Sequence, residues 1–212
     1  MVVPSTLRED TLIAATKKLA ARDSDLARVV AAFGPPPLWP RDPGYATLIH
    51  IILEQQVSLA SAKAAMDRLL AAADPLAPER FLEFDDAELK QIGFSRQKTR
   101  YVRLLSMAIL DGSFDLDALP NLPDDDVRAA LTRLTGIGRW TADIYLLMAL
   151  GRPDVWPAGD LALAVAAREV KRLPARPTPD QLDALGEAWR PYRAVAARVL
   201  WHHYLSVRNG KG

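Results

Sequence analysis

One stretch constrains this chain more than any other: Leu134-Thr135-Gly136-Ile137-Gly138-Arg139. Two glycines one residue apart stand between two helical stripes. Val127, Ala130, Leu131 and Leu134 recur at helical spacing before them, and the segment from Trp140 to Leu150 reads as a helix after them. Pro123-Asp124-Asp125-Asp126 opens the first stripe, and Gly151-Arg152-Pro153 breaks the second. Glycine permits a tight turn here and lets the backbone come close to a ligand. The helix that follows aims N–H groups outward and carries roughly half a positive charge at its start, so the place suits a phosphate. Beyond the break stands Asp160, an acid among Trp156, Pro157, Ala158, Gly159, Leu161, Ala162 and Leu163. The pattern is helix, glycine hairpin, helix, lone acid.

The rest of the chain reads as helices. Residues 5–33 predict two, the first capped by Ser5 or Thr6 and the second by Asp25. Gly34-Pro35-Pro36-Pro37 and the segment from Leu38 to Pro43 form a stiff linker. A strongly apolar helix from Tyr45 to Glu54 follows, and Ser58 caps the next. Short helices are expected over Glu79 to Phe84 and Asp86 to Gln91, and a longer one from about Ser95 to Leu110. Past the hairpin, Asp160 leads a helix to Val170, Asp180 starts another to Trp189, and Pro191 sits in the first turn of a last one to about Val207. No segment alternates with a period of two, so the fold class is all-α.

Composition excludes several classes. A chain of 212 residues, half of them hydrophobic, is long enough to bury a core. With no cysteine it holds no disulfide, thiolate zinc site or iron–sulphur cluster. Three histidines, His50, His202 and His203, lack metal-ligand spacing. No apolar run reaches the ~20 residues that span a bilayer, and the first ten residues lack the layout of a signal peptide. The expectation is a cytoplasmic protein with no membrane association. A net charge of +1 says little about nucleic acid, so any basic surface is local. Lys90, Arg96, Lys98, Arg100 and Arg103 form one such run without an intervening acid, either a solvated face or a phosphate track. Arg190, Arg193 and Arg198 are open to the same two readings.

The hairpin residues Gly136-Ile137-Gly138-Arg139-Trp140-Thr141-Ala142, with Asp160 twenty residues after Trp140, resemble the helix–hairpin–helix superfamily of DNA glycosylases, and within it the 3-methyladenine (alkylbase) branch. Ile52-Leu53-Glu54-Gln55-Gln56-Val57-Ser58 and Trp189-Arg190-Pro191-Tyr192-Arg193 extend the resemblance over about residues 40–206. It implies two helical lobes with the site in a cleft: one lobe of about 44–150 including the helix–hairpin–helix at 124–150, the other of 1–43 plus 151–212. It also implies the short form, without the N-terminal sheet domain of longer members.

The resemblance gives each candidate a role beside its plainer one. Asp160 is a helix cap by position, and by resemblance the catalytic carboxylate; the two are compatible. Trp140 is either core or, with Trp201, the aromatic wall of the base pocket, to which Tyr45, Ile144 and Leu161 are also assigned. Ile144 and Leu161 stand where longer enzymes have tyrosines, so the pocket is expected to be less aromatic. Gln55 and Gln56 either begin a helix or supply the plug that enters the duplex, with Gln56 at the inserting position. Gly136, Ile137, Gly138, Arg139 and Thr141, helped by Arg96 and Lys98, would hold the DNA backbone. A structural cation on the carbonyls of Thr132, Leu134 and Ile137 is also implied, with no catalytic metal. The implied partner is double-stranded DNA carrying a damaged base, bound by a monomer. A glycosylase for other damaged or mismatched bases and a helix–hairpin–helix clamp without catalysis are the alternatives.

Overall fold

In the computed structural model, which describes residues 6–209, every regular element is helical. Twelve α-helices are described: α1 (Glu9–Arg22), α2 (Ser24–Phe33), α3 (Tyr45–Glu54), α4 (Leu59–Ala72), α5 (Pro78–Glu83), α6 (Asp86–Ile92), α7 (Arg96–Leu110), α8 (Asp124–Thr132), α9 (Arg139–Met148), α10 (Leu161–Lys171), α11 (Pro179–Gly186) and α12 (Arg193–Asn209). Among the described residues no helix is long and apolar enough to cross a membrane. The chain forms two compact units, Arg41–Tyr145 and the segments either side of it.

The first unit is built around α3, whose Leu48, Ile49, Ile51, Ile52 and Leu53 are all buried. A helix apolar on nearly every side must be covered on every side, and α4 and α7 pack against it. Arg41 forks onto Glu54 at 3.0 and 2.6 Å, and Gly44 N–H donates to the Tyr145 hydroxyl at 3.0 Å. These bonds put residues 41–44 and the first turns of α9 in this unit. The boundary falls within α9, earlier than the expected residue 150, because the carbonyls of Leu146 and Leu147 bond to Arg152 and Arg198 of the second unit.

In the second unit α12 is the central rod, with α1, α2 and α10 packed on it. Ala194, Val195, Ala196, Ala197, Val199, Leu200 and Trp201 are all buried. The alanines let neighbouring backbones approach, and each fully buried Val or Leu contributes about 1.5–3 kcal/mol. Arg198 lies in this core at 1% exposure, where burial lowers its pKa to about 10. Its guanidinium donates to three carbonyls, Leu38 (3.0 Å), Ala194 (3.2 Å) and Leu147 (2.8 Å).

Several helix starts differ from the expected ones. The first begins at Glu9, with Arg8 as N-cap, so Thr6 does not cap it; Ser5 lies outside the described residues. Asp23, not Asp25, caps α2, its Oδ1 accepting from the Asp25 and Leu26 N–H groups at 3.0 and 3.2 Å. Thr178 rather than Asp180 caps α11, and Pro191 precedes α12 instead of lying in its first turn. For α2 and α11 a carboxylate or hydroxyl two residues upstream of the expected start accepts the first free N–H groups and so begins the helix earlier than the apolar stripe suggests. Ser58 caps α4 as expected, accepting from Ser61 N–H at 3.2 Å.

Candidate active site and nucleic-acid interface

In the first unit the hairpin joins α8 to α9. Gly136 has φ of +89°, and a Cβ built there would lie 2.1 Å from Cγ of Tyr101 on α7. Glycine is therefore required twice, for the backbone and for the ring beneath it. Ile137 is a buried anchor, and its N–H closes the turn on Leu134 O at 3.1 Å. Ladder bonding in α9 starts with Ala142 N–H to Gly138 O (3.1 Å), so the amides of Gly138 and Arg139 precede it, at the positive end of the helix. Gly138 and Arg139 are exposed.

An ion-pair cluster fastens α8 to α9. Asp143, only 1% exposed, accepts from Arg128 Nε at 2.6 Å, and Arg139 Nε lies 3.6 Å from its other oxygen. Arg128 also reaches Asp125 at 2.5 Å. Burial raises the Asp143 pKa against the pull of both arginines. Neither Asp143 nor Tyr101 stood out in the sequence: an acid within an apolar helix signals a buried pair, but not which arginine answers it.

The glutamine pair divides. Gln56 is exposed with φ of +58°, a left-handed conformation that costs a non-glycine residue about 1–2 kcal/mol. Val57 and Leu59 beside it are 46% and 60% exposed. Gln55 instead turns its side chain inward, Nε2 donating to Gly136 O at 2.9 Å and Thr141 Oγ1 at 3.0 Å. This corrects its assignment as a plug. The Thr141 hydroxyl is buried and serves Gln55, which leaves its backbone N–H in the first turn of α9 as the group that could face a phosphate.

The basic run divides as well. Arg96, Arg100 and Lys90 are exposed, while Lys98 Nζ donates to Leu53 O at 2.8 Å and burial lowers its pKa. Arg103 is held by Asp86 (2.8 Å) and Phe84 O (2.9 Å). Tyr45 is buried in the first unit, its hydroxyl on Ser106 Oγ at 2.6 Å, and burial raises its pKa. Ile144 is packed into the core at 4% exposure, and Trp140, in the first turn of α9, is half-buried.

In the second unit Asp160 is the N-cap of α10, its Oδ1 accepting from Leu163 N–H at 2.7 Å. The same oxygen accepts from Trp201 Nε1–H of α12 at 3.1 Å. Leu161, the next residue, is 60% exposed, whereas Trp201 is 8% exposed. Trp201 therefore orients the carboxylate through its N–H.

The loop before Asp160 rests on aromatic rings. Trp156 packs on Trp189 at 5.2 Å between centroids, and its Nε1–H donates to Leu182 O at 3.0 Å. Trp189 in turn donates to Asp23 Oδ2 at 2.8 Å. Arg193 holds the loop's other end through Asp154, by N–H (3.1 Å), Nε (3.0 Å) and Nη2 (3.1 Å). Arg190 also pairs with Asp154, at 2.9 Å. Arg193 and Arg198 are thus internal ties instead of a phosphate track, and Arg190 is paired with acids. Spacing alone did not reveal this, because their partners, Asp154 and three carbonyls, are distant in sequence.

The sequence profile described as HhH-GPD superfamily base excision DNA repair protein matches residues 49–191. The alkylbase DNA glycosidase-like protein mag2 of Schizosaccharomyces pombe is 26% identical over 194 residues, 88% of this chain and 91% of that protein. DNA-3-methyladenine glycosylase 1 of the same yeast is 28% identical, covering 83% of this chain and 79% of its own. A Bacillus subtilis protein provisionally named a DNA-3-methyladenine glycosylase is 30% identical over 74% of this chain, which spans 58% of its length. Among solved structures, S. pombe 3-methyladenine DNA glycosylase in complex with abasic DNA matches with a TM-score of 0.81 at 28% identity, covering 89% of this chain and 95% of that one.

Proposed function

The chain belongs to the HhH-GPD superfamily of base excision DNA repair proteins, and from that premise we propose that Asp160 drives hydrolysis of the N-glycosidic bond of alkylated bases in duplex DNA. It is a DNA glycosylase of the 3-methyladenine type, the type named for the yeast DNA-3-methyladenine glycosylase 1 that aligns along most of its length. One observation carries the mechanism: a carboxylate at the start of α10 whose Oδ1 is fixed by a backbone N–H and an indole N–H.

Cleaving the bond between deoxyribose C1′ and the base nitrogen leaves positive charge on the sugar, in an oxocarbenium-like transition state. The bonding pair departs with the base. An alkylated purine is already cationic and leaves neutral, so no acid need protonate it, and one carboxylate suffices. Asp160 stabilises the developing charge and takes a proton from the water that adds to C1′. Fixing one oxygen with two donors means little reorganisation is needed as charge appears. By the family resemblance, the flipped base would stack against Trp140, with cation–π attraction of about 0.5–2 kcal/mol.

Gly138 and Arg139 amides, with Arg96, Arg100 and Lys90, would hold phosphates while Gln56 enters the duplex. The carbonyls of Thr132, Leu134 and Ile137 are neutral donors that suit a structural cation; Leu134 O keeps a lone pair beside its bond to Ile137 N–H. Such an ion would brace the hairpin on the backbone and take no part in hydrolysis. The enzyme would act as a monomer, inside the cell, on chromosomal DNA.

The test is a panel of duplexes, each with a single 3-methyladenine, 7-methylguanine, etheno-adenine, deaminated base or mismatch, treated with alkali after incubation. Cleavage of alkylated substrates first supports the reading. Exclusive cutting of mismatches or oxidised bases would replace it, and binding without cutting would leave only a clamp.

A further inference from the structure

Gln55 and Gln56 are neighbours with opposite orientations, and Gln55 touches the phosphate hairpin. Its Nε2 donates to Gly136 O (2.9 Å) and Thr141 Oγ1 (3.0 Å), while Gln56 projects outward from a left-handed backbone. The amide orientation is unambiguous, because a carbonyl can only accept, so the NH2 end must face Gly136. Two bonds to two acceptors use both donors of the carboxamide. A glutamate has none to offer, and an asparagine is one methylene shorter.

Helix α7 gives both ends of this bridge a common base. Its Lys98 donates to Leu53 O at 2.8 Å, two residues before Gln55, and its Tyr101 ring lies under Gly136. The hairpin and the exposed turn are therefore both seated on α7 and joined directly across the gap by Gln55. Left-handed Gln56 is the strained link in this frame, the kind of conformation held only where its surroundings over-determine it.

We propose that Gln55 is a positioning residue that couples the hairpin's grip on a phosphate to the insertion of Gln56 into the duplex. The idea rests on the plug role given to Gln56 above. With the bridge in place, a phosphate held at Gly138 and Arg139 fixes where Gln56 meets the base stack. Without it, the hairpin still binds backbone but the plug is no longer held in register.

The probes are an undamaged duplex and the same duplex with one tetrahydrofuran abasic analogue, so that no lesion preference enters. Gln55→Leu should leave undamaged-duplex affinity and its salt dependence unchanged, since the phosphate contacts persist. It should reduce the preference for the abasic duplex about tenfold, equivalent to ~1.4 kcal/mol. In a Gln56→Ala background the same substitution should cost nothing further, because Gln55 acts through Gln56. Thr141→Val, which removes one acceptor, should give a smaller loss with the same dependence on Gln56, and serves if Gln55→Leu does not fold. An equal loss in both backgrounds, or weaker binding to undamaged duplex, would make Gln55 a plain hairpin support and overturn the coupling. If Gln56→Ala alone leaves the abasic preference intact, the plug role itself falls and the coupling falls with it.

Discussion

Replacing Asp160 with asparagine separates charge from shape. The carboxamide oxygen can accept the Leu163 N–H and Trp201 Nε1–H that Oδ1 now accepts at 2.7 and 3.1 Å. The cap of α10 and the indole contact therefore persist, and only the negative charge is withdrawn. A unit charge ~4 Å from a cationic sugar, at an effective dielectric of ~20, is worth about 4 kcal/mol. At ~1.4 kcal/mol per factor of ten this approaches a thousandfold. Losing one preorganised stabiliser gives losses of about 100- to 1000-fold in other enzymes. Single-turnover excision, with enzyme in excess and product revealed by alkali, should fall within that range. Duplex affinity and thermal midpoint should stay near wild type. Trp201→Phe, which keeps a ring but loses the N–H, should fall between the two. A folded Asp160→Asn protein that cuts within a few-fold of wild type would remove Asp160 from the chemistry.

Four further outcomes are expected. Gly136→Ala should weaken binding to every duplex, damaged or not, because φ of +89° and the Tyr101 ring both oppose a Cβ; unchanged affinity for undamaged DNA would contradict the role given to the hairpin. Gln56→Ala should slow excision most when the lesion is well paired and least when it is mispaired, since less unstacking work remains; equal defects in pre-steady-state rates would count against insertion. Borohydride added during turnover should trap no protein–DNA adduct, because the family resemblance puts Trp140 where strand-cleaving members of the superfamily carry a lysine, and an indole forms no imine; a trapped adduct abolished by changing one lysine would overturn this. Burial alone would raise the Asp23 pKa, but Trp189 Nε1–H, Leu26 N–H and Lys171 hold it below its ordinary value. Its stability contribution is therefore present above the unfolded pKa of about 3.9 and lost as pH falls through the lower folded value. The wild-type advantage over Asp23→Asn in urea midpoint should be larger at pH 6 than at pH 3; an equal difference at both pH values would show that the linkage is absent.

The hairpin and the acid were legible because each imposes a local rule. Two glycines flanking one residue between helical stripes have few uses, and an acid directly before an apolar run is a cap whatever else it does. Gln55, Arg193 and Arg198 were not legible, because their roles depend on partners 39 to 160 residues away. A polar side chain next to a turn looks solvent-facing in sequence, and only the fold shows that Gln55 turns inward while Gln56 turns out. Arg198 misled for a related reason: on a helix that is buried all round, a single cation has no apolar face to stand apart from. Tyr45 was placed by resemblance alone, and its bond to Ser106, 61 residues away, could not be read from the sequence.

The positioning of Asp160 follows from one helix. The loop that carries it has no regular structure, which would ordinarily make a poor mount for a catalytic group. Yet its beginning is tied to the start of α12, by Arg193 to Asp154 and by Ala194 N–H to Pro153 O at 3.0 Å. Its end is tied to the same helix by Trp201 Nε1–H to Asp160. From 193 to 201 a helix rises about 12 Å, at ~1.5 Å per residue. A loop fastened at both ends to one rod of fixed length inherits the rod's rigidity, and the Trp156 and Trp189 rings fill the space beneath it. The burial that hid the roles of α12 in the sequence is what makes it stiff enough to serve. The cap bond and the indole bond converge on a single oxygen, so the bond that begins α10 would also aim the carboxylate in the role proposed for it.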